Sequence, residues 1–361
     1  LTAAYINQIG TAAPPHDVHE AFVSFSRAAL PAGRLRILFD RLVARAGITH
    51  RHSVLHADGL VEADDPRPGF YRRGAYPGTA ARMRVYAEHA PVLAARAVAA
   101  LNLPADRSTI THLIVASCTG FIAPGLDQLL ARDLGLRPDL QRTLVGFMGC
   151  SAAVPALRIA QATVLADPTA KVLVVNLELC TLHLQETADV QIALSFLLFG
   201  DGASAALVTA EPSGIALTDF RTALIPGTED HITWHVGDQG FLMHLSGQVP
   251  ARIAQALRED LSRGDDAGIL HGEGTQAIDL WAVHGGGKTI LDAVQSGLNL
   301  PARALAISRE VLAAHGNMSS ATVMFVLARM LATAAPGARG LAMAFGPGMV
   351  AETFRFAMAA S

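Results

Sequence analysis

The chain has 361 residues, half of them apolar and 16% charged. That balance permits a large core and excludes a disordered chain, and the length suits two related lobes better than one core. Net charge is −3 with no long basic run, so nucleic acid is not an expected partner.

Three cysteines do not make a disulfide framework, and the expected compartment is a reducing cytoplasm. Residues 1–5 lack the basic start and apolar stretch of a signal peptide. No uncharged apolar run reaches the roughly 18 residues of a membrane helix, so no membrane span is expected.

Short β-branched runs alternate with longer helical stretches, which reads as α/β. Near the start, His16 and His19 have i,i+3 spacing without further ligands nearby, so no metal site is expected. Arg34, Arg41 and Arg45 fall within about 40° of one another on a helical wheel. They read as a solvated face or as a face for phosphates. His50, Arg51 and His52 read as a polar surface segment. The pattern predicts a helix over 79–101 and strands over 110–116, 172–176, 204–208 and 280–283. It also predicts a helix over 151–165.

Cys150 follows an extended run, 142–147, and opens that helix. Unpaired amide groups and the helix dipole favour a thiolate there, and Gly149 permits the sharp elbow. The alternative is a small buried core thiol. Cys118 and Cys180 adjoin strands and read as core thiols or cavity lining. Gly200-Asp201-Gly202 reads as a structural turn. His284 ends a strand before three glycines, so its side chain projects into a loop-built site or packs locally. Asn317 follows Gly316 at a helix start, where it either caps or donates to an oxyanion.

One register links these loops. Ser117 lies 33 residues before Cys150, His284 lies 33 before Asn317, and the second pair follows the first by 167. Equivalent loops at one offset suggest a duplicated lobe, with Cys150 and Asn317 facing each other across a pseudo-twofold axis and His284 nearby. A cysteine with a His/Asn pair suits Claisen chemistry. The cysteine carries an acyl group and the histidine stabilises its thiolate as an ion pair. Both donors then hold the enolate left by decarboxylation of a malonyl thioester. No metal or redox cofactor is required.

In order along the chain stand Phe147-Met-Gly-Cys-Ser-Ala-Ala, Phe199-Gly-Asp-Gly-Ala, His284-Gly-Gly-Gly, Gly316-Asn-Met-Ser-Ser-Ala and Phe345-Gly-Pro-Gly. Together they resemble the chalcone synthase superfamily, the type III polyketide synthases, over nearly the whole chain. The segments Leu177-Glu-Leu-Cys-Thr-Leu-His-Leu-Gln185 and Ile232-Thr-Trp-His-Val236 look more like the bacterial-type members. The resemblance implies a duplicated thiolase fold, two related lobes (1–211 and 212–361) in five αβαβα layers, and a homodimer. It implies Cys150 as nucleophile, His284 and Asn317 as the decarboxylation pair, and Phe199 as a gatekeeper. Arg41 and Arg45 match positions that contact coenzyme A, and Gly286, Gly287 and Thr289 match the stretch near its pantetheine arm. Cys118, Thr119, Cys180, His183, Trp234, Met243 and Ser319 are the implied substrate-binding positions.

Met243 and Trp234 replace a phenylalanine and a glycine of the plant enzymes, so a plant-like aromatic starter pocket is not implied. The implied reaction is condensation of an acyl-CoA starter with malonyl-CoA, then cyclisation, to an alkylpyrone or alkylresorcinol where the starter is fatty acyl. A fatty-acid-initiating β-ketoacyl synthase shares the triad but carries His-Gln-Ala-Asn, where this chain has His284-Gly-Gly-Gly. A degradative thiolase needs a second cysteine near Gly346-Pro-Gly348. A non-catalytic acyl-CoA-binding protein would not need all three polar site residues.

Overall fold

The computed structural model describes residues 3–103, 106–264 and 268–360; the first two residues of the 1–5 start lie outside them. One nine-stranded sheet organises the chain. Its strands are β1 (Ala4–Ala12), β2 (His112–Ser117), β3 (Gln141–Gly146), β4 (Val172–Leu179), β5 (Asp201–Thr209), β6 (Ile215–Leu224), β9 (Leu280–Val283), β10 (Arg339–Gly346) and β11 (Val350–Met358). A separate hairpin pairs β7 (Ile232–Gly237) with β8 (Gly240–Leu245). The sheet order is β9-β10-β11-β6-β1-β5-β4-β2-β3.

That order contains the repeat. The antiparallel pair β1–β6 forms the seam. Outward on one side run β5, β4, β2 and β3; on the other run β11, β10 and β9. In each direction the first neighbour is antiparallel to the next, and the following pair is parallel. Among the described residues the second half lacks only a partner for β3.

The side chains show why the layers form. In β2, Ile114 and Ala116 join one core cluster while Leu113 and Val115 join another, because successive strand residues point to opposite faces. The first cluster is filled by α5 (Ala153–Ala166) and α10 (Ala321–Thr333), which also touch Ala342, Ala344 and Phe354 from the other half of the sheet. These two helices are therefore the middle layer. Outside the first half packs α3 (Thr79–Ala99) with α4 (Leu126–Asp133); outside the second pack α7 (Val249–Arg263) and α8 (Lys288–Gly297). The result is the five-layered thiolase arrangement. β4 reads Val-Leu-Val-Val-Asn-Leu-Glu-Leu and is buried throughout, as a strand covered on both faces must be.

Three further helices bear on the site: α1 (His19–Ala29), α2 (Arg34–Arg45) and α6 (Val190–Leu197). Another helix, α9 (Ala306–His315), leads to Gly316. The run Gly149–Ala166 is long and apolar enough to cross a membrane by length and composition. It contains Arg158, and its buried face fills the middle layer, so it is a core helix.

The expected polar surface segment is corrected. His50 is exposed and pairs with Asp17, with Nδ1 2.6 Å from Oδ2, but Arg51 is 0% exposed. Alternation in an extended segment turns residue 51 inward where residue 50 points out.

Candidate active site

Cys150 sits where β3 hands over to α5. Phe147 and Gly149 adopt φ of 55° and 57°, and residues 149–151 form one 3-10 turn. A left-handed φ costs glycine little. A Cβ on Gly149 would also lie 2.7 Å from Pro347 Cδ. The elbow that the sequence implied is therefore tight on both counts, and it brings the thiol to a cavity wall.

Asn317 arrives from the second half. α9 ends at Gly316, with φ 68°. The Asn317 backbone then pairs beside Phe199: its N–H donates to Leu198 O at 2.8 Å, and its carbonyl accepts from Gly200 N–H at 3.0 Å. The amide is oriented as well. Oδ1 accepts from Ser319 N–H at 2.8 Å, and Nδ2 donates to Gly286 O at 3.2 Å. The remaining Nδ2 proton is available to Cys150 Sγ, 3.9 Å away.

His284 follows β9, its N–H donating to Met343 O at 2.8 Å. Its ring is buried and lines the same cavity, yet neither ring nitrogen has a hydrogen-bond partner. Buried polar atoms without partners are rare and point to a ligand or reactant.

The electrostatics bear on the expected ion pair. Burial pushes the Cys150 thiol up to about 11; bonds from Ser319 and Asn317 act the other way. Burial also lowers His284 to about 4. Both shifts run against the expected thiolate–imidazolium pair and favour a thiol and a neutral imidazole. Desolvation penalises both charged forms, and no anion or cation here compensates enough. Cys118 and Cys180 are raised well above the ordinary thiol value, by burial and then by the Glu178 carboxylate.

The cavity encloses about 550 Å³. Of the residues implied by the sequence, Cys118, Thr119, Cys180, Phe199, Trp234, Met243 and Ser319 line it. Trp234 and Met243 are direct cross-strand partners in the β7–β8 hairpin, and Trp234 Nε1 donates to Cys118 O at 2.9 Å. Arg45, Gly286, Gly287 and Thr289 also line it. Two implied residues do not. His183 lies behind the wall, with Nε2 2.8 Å from Thr119 O, Nδ1 accepting from Phe241 N–H at 3.0 Å, and its ring stacked on Phe241. Arg41 is exposed on α2, one turn from Arg45 and outside the lining.

Sequence reasoning assigned no role to Glu178, Arg51, His19 or Lys288. Glu178 is fully buried and accepts from Cys118 N–H at 3.1 Å, Thr119 Oγ1 at 2.9 Å and Ser320 Oγ at 2.6 Å. Burial raises its pKa while these donors lower it. The available signal was a carboxylate inside the apolar run of β4. His19 and Lys288 both line the cavity. His19 carries no local signal of that, because its neighbours come from elsewhere in the chain. Among the described residues no group of three or more His, Cys, Asp or Glu is placed to hold a metal.

Comparison with known proteins agrees over nearly the full length. The family model for the N-terminal domain of chalcone and stilbene synthases matches residues 2–212, and that for the C-terminal domain matches residues 217–358. The chain is 34% identical to the alpha-pyrone synthesis polyketide synthase-like Pks18 of Mycobacterium tuberculosis, covering 98% of this chain and 91% of that one. It is also 34% identical to 1,3,6,8-tetrahydroxynaphthalene synthase of Streptomyces griseus, covering 88% and 82%. Among solved structures, tetrahydroxynaphthalene synthase of Streptomyces coelicolor superposes with a TM-score of 0.86 at 29% identity, covering 99% of this chain and 100% of that one. PKS-I of the brown alga Ectocarpus siliculosus gives 0.86 at 30%, covering 99% and 98%. The chain belongs to the chalcone and stilbene synthase family and is a type III polyketide synthase, an acyltransferase on the thiolase fold.

Proposed function

We propose that the site joins an acyl-CoA starter to malonyl-CoA units. Cys150 Sγ attacks the starter thioester carbonyl, its proton passes to the neutral His284 imidazole, and coenzyme A leaves as its thiol after taking that proton. A malonyl thioester then places its carbonyl oxygen against His284 and Asn317. Loss of carbon dioxide leaves the bond's electron pair on an enolate that both donors stabilise. The enolate carbon attacks the acyl group on Cys150, forming a carbon–carbon bond and releasing the cysteine sulfur. Repetition lengthens the chain, which then cyclises.

One observation carries this reading. The Cys150 thiol and the oriented Asn317 amide stand 3.9 Å apart in a cavity that His284 also lines, its two buried ring nitrogens without partners. A neutral imidazole is the form that accepts the thiol proton, and the same ring can donate afterwards.

The starter assignment is a fatty acyl group, and the product an alkylpyrone or alkylresorcinol. The support is the apolar wall formed by Leu194, Leu197, Ile232, Val249 and Ile253, and the relative named for alpha-pyrone synthesis. Arg45 is exposed at the cavity edge and is assigned to the coenzyme A phosphates, with Arg41 beside it. Gly286, Gly287 and Thr289 are assigned to the pantetheine arm. The proposal includes lobes divided near residue 211, a homodimer, a cytoplasmic location, and no cofactor beyond the coenzyme A thioester substrates.

Incubation of the purified protein with malonyl-CoA tests the reaction. Carbon dioxide release that disappears in Asn317→Ala supports it; tight acyl-CoA binding without release would sink it. Competition among short, aromatic and long acyl-CoAs, with product mass analysis, tests the starter.

A further inference from the structure

Arg51 is a fully buried guanidinium that takes part in no ion pair among the described residues. Burial lowers its pKa to about 10, with Asp17 and Asp201 acting in the opposite direction, so it is a cation near neutral pH. Asp17 accepts from Arg51's backbone N–H rather than from its guanidinium, and Asp201 accepts from Val54 and Thr181. A buried cation without a carboxylate is costly, and its hydrogen bonds show what it holds. Nη1 donates to Phe199 O at 3.0 Å, and Nε donates to His19 Nδ1 at 2.9 Å. The side-chain stem packs against Gly316, where a Cβ would lie 2.9 Å from Arg51 Cγ. The guanidinium faces the Phe22 ring at 5.6 Å.

These contacts converge on the active site from behind. Phe199 lines the cavity, and its strand segment is bridged to Asn317 through Gly200 N–H and Leu198 O. Gly316 immediately precedes Asn317. Arg51 thus touches both sides of the bridge that carries the cavity-wall phenylalanine and the amide donor. His19 must accept at Nδ1, which requires the neutral ring. Burial and Arg51's charge lower its pKa to about 4, so that form prevails. Nη2 also donates to His19 O at 3.5 Å, so the rigid fork serves three acceptors on two residues at fixed angles.

We propose that Arg51, oriented by neutral His19, is a positioning residue for this reaction. It sets the Phe199 backbone and, through the 199–317 bridge, the Asn317 amide that faces Cys150. This inference rests on the condensing reading of the site.

The test compares His19→Leu with His19→Asn in malonyl-CoA decarboxylation. Asparagine keeps an acceptor near the Nδ1 position; leucine leaves Arg51 Nε unpaired. His19→Leu should lower kcat roughly ten- to a hundredfold, the scale of a small misplacement of a catalytic group, with KM within about twofold. His19→Asn should recover most of that loss and melt near the wild-type temperature, while His19→Leu should melt lower because a buried donor is left unpaired, with kcat compared well below both transitions. Arg51→Lys, which keeps charge but loses the fork, should behave like His19→Leu. Equal kcat for wild type, His19→Leu and His19→Asn overturns the inference while leaving the condensing function intact. So does a loss confined to KM, because His19 would then act only as cavity wall. A wild-type protein that releases no carbon dioxide overturns both.

Discussion

Cys150 and Asn317, 167 residues apart in the chain, meet with the thiol sulfur 3.9 Å from the amide. Each is introduced by a glycine of positive φ, Gly149 and Gly316, and each precedes a middle-layer helix, α5 and α10. The two half-sheets clasp these helices side by side, so equivalent loops open into one cavity.

Removing the amide tests what that pairing supplies. Asn317→Ala should lower malonyl-CoA decarboxylation by roughly 10²–10³-fold, the cost of one preorganised donor to a developing oxyanion. Carbon dioxide release is the measurement. A loss below about threefold would remove Asn317 from the mechanism.

Removing the thiol separates the steps. Cys150→Ala should abolish condensation yet retain decarboxylation, since His284 and Asn317 remain. Intact-protein mass spectrometry of the wild type should place the starter acyl group on Cys150. An acyl group on Cys118 or Cys180 would overturn the assignment.

The resting charge state predicts a pH profile. The thiolate fraction rises with pH until the raised value near 11, and His284 loses its proton near 4. Between those limits thiol and imidazole are both neutral. Iodoacetamide labelling of the free enzyme at Cys150 should therefore increase about tenfold per unit between pH 6 and 9, because the thiolate is the nucleophile. A plateau already reached at pH 6 would indicate an ion pair.

The elbow should resist substitution. Gly149→Ala places a side chain at φ 57° and 2.7 Å from Pro347 Cδ. Left-handed strain costs a non-glycine residue about 1–3 kcal/mol, and the clash displaces the turn that carries Cys150. A lower melting temperature together with slower acyl loading is the expected result; unchanged loading would show that the turn tolerates a Cβ.

Glu178 should behave as a structural acceptor. Glu178→Leu leaves Cys118 N–H, Thr119 Oγ1 and Ser320 Oγ without their carboxylate. Each buried unsatisfied group costs about 1–3 kcal/mol, so the loss should be several kcal/mol in denaturant unfolding. Glu178→Gln retains an acceptor and should cost clearly less. Equal losses would contradict this account.

Much of this architecture was readable in one dimension. Strand alternation and helical spacing are local properties, so β2, β4, β5 and β9 were expected near their observed places, as were α3 and α5. The 33- and 167-residue offsets identified the repeat because duplicated topology preserves spacing. The motifs around Cys150, His284 and Asn317 named the triad and the family.

Other features depended on what surrounds each group. Charge state did: the helix start argued for a thiolate, while desolvation by residues from both halves favours the neutral thiol and imidazole. Burial did too: Arg51 stands between two histidines in a polar-looking segment, yet the fold turns it inward onto Phe199. His183 and Arg41 matched family positions by alignment, while packing set one behind the cavity wall and the other outside the lining. The sequence by itself determined the fold, the repeat and the identity of the triad, because periodicity and motif spacing are written along the chain. Only the tertiary structure decided protonation, burial and which side chains share the cavity, because those depend on neighbours a hundred or more residues away.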